Sequence, residues 1–168
     1  MLFRSPLGAN LVINGDFESG NTGFASQYTN SPGNIVSAGT YDMVSSPQNS
    51  HMYASSFGDH TSGSGLMMAI NGATSPGAVV WSQTASVTAN TNYAFSAWVA
   101  SWFYESPTQL QFKINGTPVG TFNGSTTPGV WQQFTATWSS GASTTATIEI
   151  IDLNTADNGN DFALDDLV

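Results

Sequence analysis

The sequence contains no cysteine, which excludes disulfide bonds, thiolate metal sites and cysteine nucleophiles. Cysteine usage therefore does not decide the redox compartment. Basic residues are almost absent too: Arg4 and Lys113 stand against eleven acidic residues and leave a formal net charge of −9. A chain with this charge would be repelled by a phosphate backbone, so nucleic acid is excluded as a partner.

Long apolar runs are also missing, since none approaches the roughly 20 residues that a membrane-spanning helix needs. We therefore expect no membrane insertion. Residues 1–9 are too short for a complete secretory signal, and we interpret them as an N-terminal extension or the remnant of a leader. The remainder, 10–168, is the size of one domain with one hydrophobic core.

Helical periodicity is lacking throughout, whereas runs rich in Val, Ile, Thr and aromatic residues alternate with Gly, Asn, Ser and Pro. This pattern predicts an all-β fold. Asn115-Gly116 separates two of the runs and is a strong signal for a two-residue hairpin. The expected strands are 65–71, 78–87, 92–102, 109–115, 117–122, 131–138, 144–152 and 161–167.

Alternation within these runs predicts which side chains are buried. Leu110, Phe112 and Ile114 fall on one face of their strand, and the Gln and Lys residues between them fall on the other. Strands that bury one face each indicate a two-sheet antiparallel β-sandwich. The run 92–102 is apolar on both faces, so we expect a central strand covered on both sides. The region 19–64 is expected to form loops laid over the sandwich, where binding residues tend to lie.

The two ends of the domain carry the most distinctive motifs. Asn10-Leu-Val-Ile-Asn-Gly-Asp-Phe-Glu-Ser-Gly20 opens it, and Asn160-Asp-Phe-Ala-Leu-Asp-Asp-Leu167 closes it. Together with weaker strand patterns in matching order, they resemble the two ends of galactose-binding-domain-like jelly rolls. This group includes carbohydrate-binding module families 4, 9 and 22. The copies it resembles most occur in bacterial exported proteins, which implies a secreted or cell-surface location.

The resemblance also implies a structural calcium ion between the two ends of the domain. By motif position its first ligands would be Glu18 and Asp165, with Asp16 and Asp166 in reserve. Acidic groups in a chain with only 8% charged residues need a reason to converge, and a hard cation with roughly six to eight oxygen ligands supplies one. The alternative is that these residues form turns and a solvated chain end. Asp59 is a further possible oxygen ligand.

Aromatic and amide side chains are the candidates for sugar binding, because sugars present apolar C–H faces to rings and hydroxyls to planar polar groups. Trp102 and Tyr104 belong to the densest aromatic cluster that we expect to be partly exposed. Gln111 and Gln133, with Gln83 and Glu149, are expected to line the open face of one sheet, where the family-4-like modules place their glycan cleft. Trp81, Trp98 and Trp138 are expected in the core.

Catalysis is not indicated. Hydrolysis of a glycosidic bond needs two carboxyl groups facing each other across a cleft, and the three Glu residues lie far apart in the sequence. His51 and His60 match no metal-ligand spacing. The prediction is a non-catalytic module that binds a polysaccharide or cell-surface glycan. The alternatives are a structural subunit of an extracellular filament or matrix, self-assembled through β-strand addition, and a spacer domain.

Overall fold

The computed structural model describes residues 9–168, and the predicted leader remnant 1–9 lies outside that range except for Ala9. The fold is all-β, as predicted. The only helical segment among these residues is a 3₁₀ turn at Pro47–Asn49, and no helix is long and apolar enough to span a membrane. The ten strands are β1 Thr29–Asn30, β2 Thr40–Val44, β3 Met67–Asn71, β4 Val79–Ser86, β5 Asn92–Ser101, β6 Gln109–Ile114, β7 Thr117–Asn123, β8 Gln132–Ser139, β9 Thr145–Asp152 and β10 Phe162–Asp165.

Two sheets stack to form the sandwich. One has six strands in the order β1-β2-β3-β10-β5-β8, and the other has four in the order β4-β9-β6-β7. All strand pairs are antiparallel except the short pair β1 and β2. The predicted jelly-roll β-sandwich is confirmed. The last strand is shorter than the predicted 161–167, because the chain turns at Asp166, where φ is 47°.

The core fills the space between the sheets with the side chains that alternation assigned to it. Leu110, Phe112 and Ile114 are buried, and the ring of Phe112 stacks on Phe134 of the facing sheet at 3.8 Å between centroids and 6° between planes. Each fully buried side chain of this size contributes about 1.5–3 kcal/mol. Phe95 packs against both of these rings. The core therefore joins the two sheets through aromatic contacts.

The hairpin at Asn115-Gly116 forms as predicted. Both residues have positive φ, at 51° and 75°, and Ile114 pairs with Thr117 across the turn. These are the dihedral signs of a type I′ turn, whose twist matches the twist of the flanking strands. The register of β6 and β7 follows from this turn.

A second hydrophobic cluster covers the outer face of the six-stranded sheet. Its centre is Trp102, just after β5, and the segment 45–66 lies over it. The expectation that 92–102 is covered on both faces holds for its second half, where Ala100 and Trp102 are buried, whereas Ala94 on the outer face is exposed. The buried members of the cluster are Ile35, Val44, Ala54, Ala69 and Trp102.

Candidate functional site

The two ends of the domain meet, as their motifs indicated. The backbone N–H of Leu167 donates to the Gly15 carbonyl at 2.9 Å, and the Asn10 side-chain amide donates to the Leu167 carbonyl at 3.1 Å. The contact is so close that a Cβ on Gly15 would lie 2.1 Å from that same Leu167 oxygen. Glycine is therefore required at position 15.

The C-terminal carboxylates are held by the loop 58–66. One carboxylate oxygen of Asp165 accepts hydrogen bonds from the backbone N–H groups of His60 and Thr61, at 2.8 and 3.0 Å. The other accepts the N–H of Asp166 at 2.9 Å. The Asp166 carboxylate lies 2.6 Å from His60 Nδ1 and accepts the Thr61 hydroxyl at 2.8 Å. Backbone donors and side chains of one loop thus fasten both residues.

Glu18 reaches the same loop at its far end. Its Oε1 accepts the N–H of Leu66 at 2.8 Å, whereas Asp16 makes only a long 3.4 Å contact with the N–H of Glu18 and is exposed. Asp59 caps the loop from within, accepting the N–H groups of Ser62 and Gly65 at 2.7 Å each. Glu18 and Asp165, one from each end of the domain, therefore bind backbone donors of 58–66.

This arrangement does not fit a calcium ion shared by Asp16, Glu18, Asp165 and Asp166. The carboxylate oxygens of Asp165 accept hydrogen bonds from three N–H groups. A cation bound at these oxygens would be repelled by the partial positive charge of the N–H hydrogens. Across residues 9–168, no three His, Asp or Glu side chains converge as a metal-binding group. Burial raises the pKa of Asp165 to about 7, since removal from water disfavours the charged form of a carboxyl group.

Trp102 is not at the surface, so the prediction that it is partly exposed and contacts a sugar is wrong. Its side chain is 0% exposed, and its indole N–H donates to the Ile70 carbonyl at 3.0 Å. The physical reason is the segment 45–66, which covers the outer face of β5. Trp102 therefore packs beneath the covering segment and is not itself accessible to a ligand.

Exposed aromatic side chains belong to the two segments that meet at this buried indole. Tyr104 is 58% exposed and packs against the ring of Phe103 at 4.8 Å between centroids. From the covering segment, the His51 ring packs on Trp102 at 5.0 Å and on Tyr53 at 6.0 Å, and Tyr53 is 73% exposed. The N–H of Ser55 donates to the Trp102 carbonyl at 3.0 Å and ties the two segments together. We call His51, Met52, Tyr53, Phe103 and Tyr104 together the aromatic edge; Met52, Tyr53 and Tyr104 are exposed, and His51 and Phe103 are half-buried.

Polar groups adjoin this edge. The Asn158 amide donates to the carboxylate of Glu105, and hydrogen bonding to Glu105 raises the pKa of the Tyr104 hydroxyl. The N–H of Asn160 donates to the Ser106 carbonyl at 2.8 Å and holds the 153–160 loop in place. Burial lowers the pKa of His51. The edge therefore combines rings with carboxylate, amide and hydroxyl groups.

The glutamines are not brought together. Gln111 lies on the outer face of the four-stranded sheet with Glu149, whereas Gln133 lies on the outer face of the six-stranded sheet, opposite Trp98. Gln83 faces inward and is buried. Its side-chain oxygen accepts the N–H of Ile13, and its side-chain nitrogen donates to the Ile13 carbonyl. The predicted single row of glutamines is wrong because the order of the strands places them on different faces.

The other predicted tryptophans have different environments. Trp81 is fully buried in the core, as expected, and Trp138 is partly buried against it. Trp98 instead faces outward and is covered by the His60 ring. Tyr53 was not singled out from sequence, although it lies in the region 19–64 that was expected to carry binding residues. Phe103 belongs to the predicted aromatic cluster.

Solved structures of very different sequence share this fold. A family-22 xylan-binding domain of Paenibacillus barcinonensis matches at a TM-score of 0.58 and 16% identity, covering 90% of this chain and 88% of its own. TmCBM61, solved with β-1,4-galactotriose, matches at 0.60 and 14%, covering 95% and 97%. The fold is that of the carbohydrate-binding jelly rolls.

The same jelly roll also occurs in an enzyme. A Stig cyclase from Fischerella sp. TAU matches at a TM-score of 0.62 and 10% identity, with 93% of each chain covered. No protein-family profile and no curated protein matches the sequence. Function must therefore be argued from the site rather than from the fold.

Proposed function

We propose that this jelly roll is a non-catalytic carbohydrate-binding module that binds a polysaccharide or cell-surface glycan through the aromatic edge. The observation that carries the proposal is the exposure of Tyr53 and Tyr104 on two segments that meet at the fully buried Trp102. Clustered exposed rings often mark a binding site, and their flat faces suit the C–H faces of pyranose rings.

Rigidity supports the proposal as well. The His51 ring packs on Trp102, whose indole N–H is bonded to β3, and the Ser55 hydrogen bond fixes the covering segment to the residue that precedes Phe103. Side chains that are ordered before binding lose little conformational entropy when a ligand arrives. The edge is thus a prepared platform, and Glu105 and Asn158 beside it suit sugar hydroxyls.

The outer face of the four-stranded sheet is the less favoured surface. Apart from Ile151, its described side chains are short or polar, and no aromatic ring projects from that face of β4, β6, β7 or β9. Gln111 would offer hydrogen bonds there without a stacking partner. We therefore assign Gln111 no contact with the glycan.

Several observations favour binding over catalysis. Glu18, Glu105 and Glu149 occupy three separate places: the first bonds Leu66, the second bonds Asn158, and the third lies opposite Lys113 in the sheet. The acids Asp152 and Asp161 are near enough for the charge of one to raise the pKa of the other, but both are buried. Paired carboxyl groups reaching one substrate bond, as glycoside hydrolysis requires, are not formed by these residues.

Secretion, a structural calcium ion and self-assembly remain predictions. A glycan ligand favours a location outside the cell. Strand addition at β7 is disfavoured, because this edge strand carries Pro118 and an irregular register opposite Phe112 and Lys113. We expect a monomer.

A glycan array and affinity electrophoresis in polysaccharide gels test the function. We expect binding to at least one neutral glycan, no release of sugar fragments on long incubation, and elution as a monomer by light scattering. Large assemblies with no glycan signal would favour the structural subunit instead. Fragment release would contradict the non-catalytic assignment.

A further inference from the structure

The carboxylate of Glu105 adjoins the aromatic edge and is half-exposed. Its Oε2 accepts the side-chain amide of Asn158. A hydrogen bond to Glu105, together with the negative charge of that group, raises the pKa of the Tyr104 hydroxyl. A carboxylate therefore lies next to the most accessible ring of its segment, since Tyr104 is 58% exposed.

The position of Glu105 is fixed by the loop 153–160. The Asn154 side-chain amide donates to the Ser106 carbonyl at 3.0 Å. The loop approaches so closely that a Cβ on Gly159 would lie 2.0 Å from the Glu105 carbonyl oxygen. Because its backbone is already held, this residue loses little conformational freedom when a ligand binds to its side chain.

No lysine or arginine of the described residues forms an ion pair with this carboxylate. Lys113, the single one in 9–168, lies in β6 opposite Glu149, in the other sheet. Asp157, exposed next to Asn158 along the chain, adds to the negative charge of the loop, and the whole chain has a formal net charge of −9. A positively charged group is therefore attracted to this edge, and an anionic sugar is repelled.

The Glu105 carboxylate has capacity for a further donor. An ionised carboxylate offers about four lone-pair positions, and the described residues fill them with Asn158 and Tyr104 as donors only. An ammonium group carries only donors, and cations are attracted to the faces of aromatic rings. Tyr104 and Glu105 together therefore suit an amine that is attached to an apolar ring.

On the basis of the proposed function, we propose that the aromatic edge selects amino sugars that carry a free ammonium group over neutral and anionic sugars. The C–H face of the sugar stacks on the Tyr104 ring, and its ammonium group donates to the Glu105 carboxylate. A neutral hexose or an N-acetylated sugar stacks in the same way without the charged contact, so it binds more weakly. A uronic acid is repelled by Glu105.

Calorimetric titration of three matched ligands into the full chain tests this selectivity. They are the β-1,4-linked hexasaccharides of glucosamine, N-acetylglucosamine and glucose, which share a backbone and differ at one substituent of each ring. The glucosamine ligand should bind about five- to tenfold more tightly than either neutral one, which is the size of one exposed charged contact beside a ring. High salt should reduce this difference, because it screens exposed charges.

Glu105→Gln is the decisive variant. It removes the charge and keeps an acceptor for Asn158, so the preference for glucosamine should disappear while the neutral ligands bind as they do to wild type. Glu149→Gln is the matched control, because it removes the same charge from the other sheet, and it should keep the preference. If Glu105→Gln does not fold, Glu105→Asp, which withdraws the carboxylate by one methylene, serves as the second variant and should reduce the preference.

Other results would overturn the inference. Equal binding of all three ligands to wild type would contradict the selectivity and leave the proposed function intact. Loss of the preference in both glutamine variants would assign it to general attraction by an acidic chain rather than to Glu105. Binding to neutral glycans on the array, with none to the glucosamine ligand, would reject the charged contact. Absence of binding to every glycan would reject the proposed function itself, and this selectivity with it.

Discussion

The imidazole ring of His60 lies flat against the indole of Trp98, with 3.8 Å between the ring centroids and 17° between the ring planes. The same imidazole contacts the Asp166 carboxylate through Nδ1 at 2.6 Å. One side chain thus joins the loop 58–66 to the outer face of β5 and to the C-terminal residues.

Replacing this ring should loosen the loop. His60→Ala removes the stacking contact and the hydrogen bond to Asp166, and we expect the free energy of unfolding to fall by about 1–3 kcal/mol. Denaturant titration followed by tryptophan fluorescence measures it. Tyr53→Ala is the control, since Tyr53 is 73% exposed and should change stability by no more than about 0.5 kcal/mol. Equal losses in the two variants would contradict this role for His60.

Trp102 should act on stability rather than on glycan contact. Trp102→Ala leaves a large cavity in the second cluster and should cost about 3–5 kcal/mol. Trp102→Phe should cost less and keep the aromatic edge in place, although it leaves the Ile70 carbonyl without its indole donor. Thermal melts of both variants check this. A Trp102→Ala variant as stable as wild type would contradict the burial of the indole.

Asp165 should make the fold sensitive to pH. Its pKa rises from 3.8 unfolded to about 7 folded, chiefly through burial, so the folded chain retains a proton that the unfolded chain loses. The contribution to stability is full below about pH 4 and is lost as the pH rises through 7. With a chelator present, the free energy of unfolding should fall less between pH 4 and 8 in Asp165→Asn than in wild type. Parallel wild-type and variant profiles would contradict it.

Most of the fold could be predicted because its information is local. The alternation of Leu110, Phe112 and Ile114 identifies a strand and its buried face, and Asn115-Gly116 fixes the turn that follows. The meeting of Gly15 with Leu167 was accessible only through the resemblance of the two end motifs. Pattern alone does not relate segments so far apart.

The site was less predictable because it depends on strand order and loop packing. Gln111 and Gln133 have the same local pattern, and only the order of the strands separates them. Trp102 is buried because the segment around Ala54, nearly fifty positions earlier, packs over it. Neither relationship leaves a periodic signal in the sequence.

Calorimetric titration of the glycan found on the array tests the aromatic edge most directly. We predict that Tyr104→Ala and Tyr53→Ala each weaken binding about tenfold, as expected for the loss of one stacked ring, while Gln111→Ala binds like wild type and all three variants remain folded. Unchanged affinity in both tyrosine variants, with binding lost in Gln111→Ala, would place the glycan on the four-stranded sheet and contradict the account.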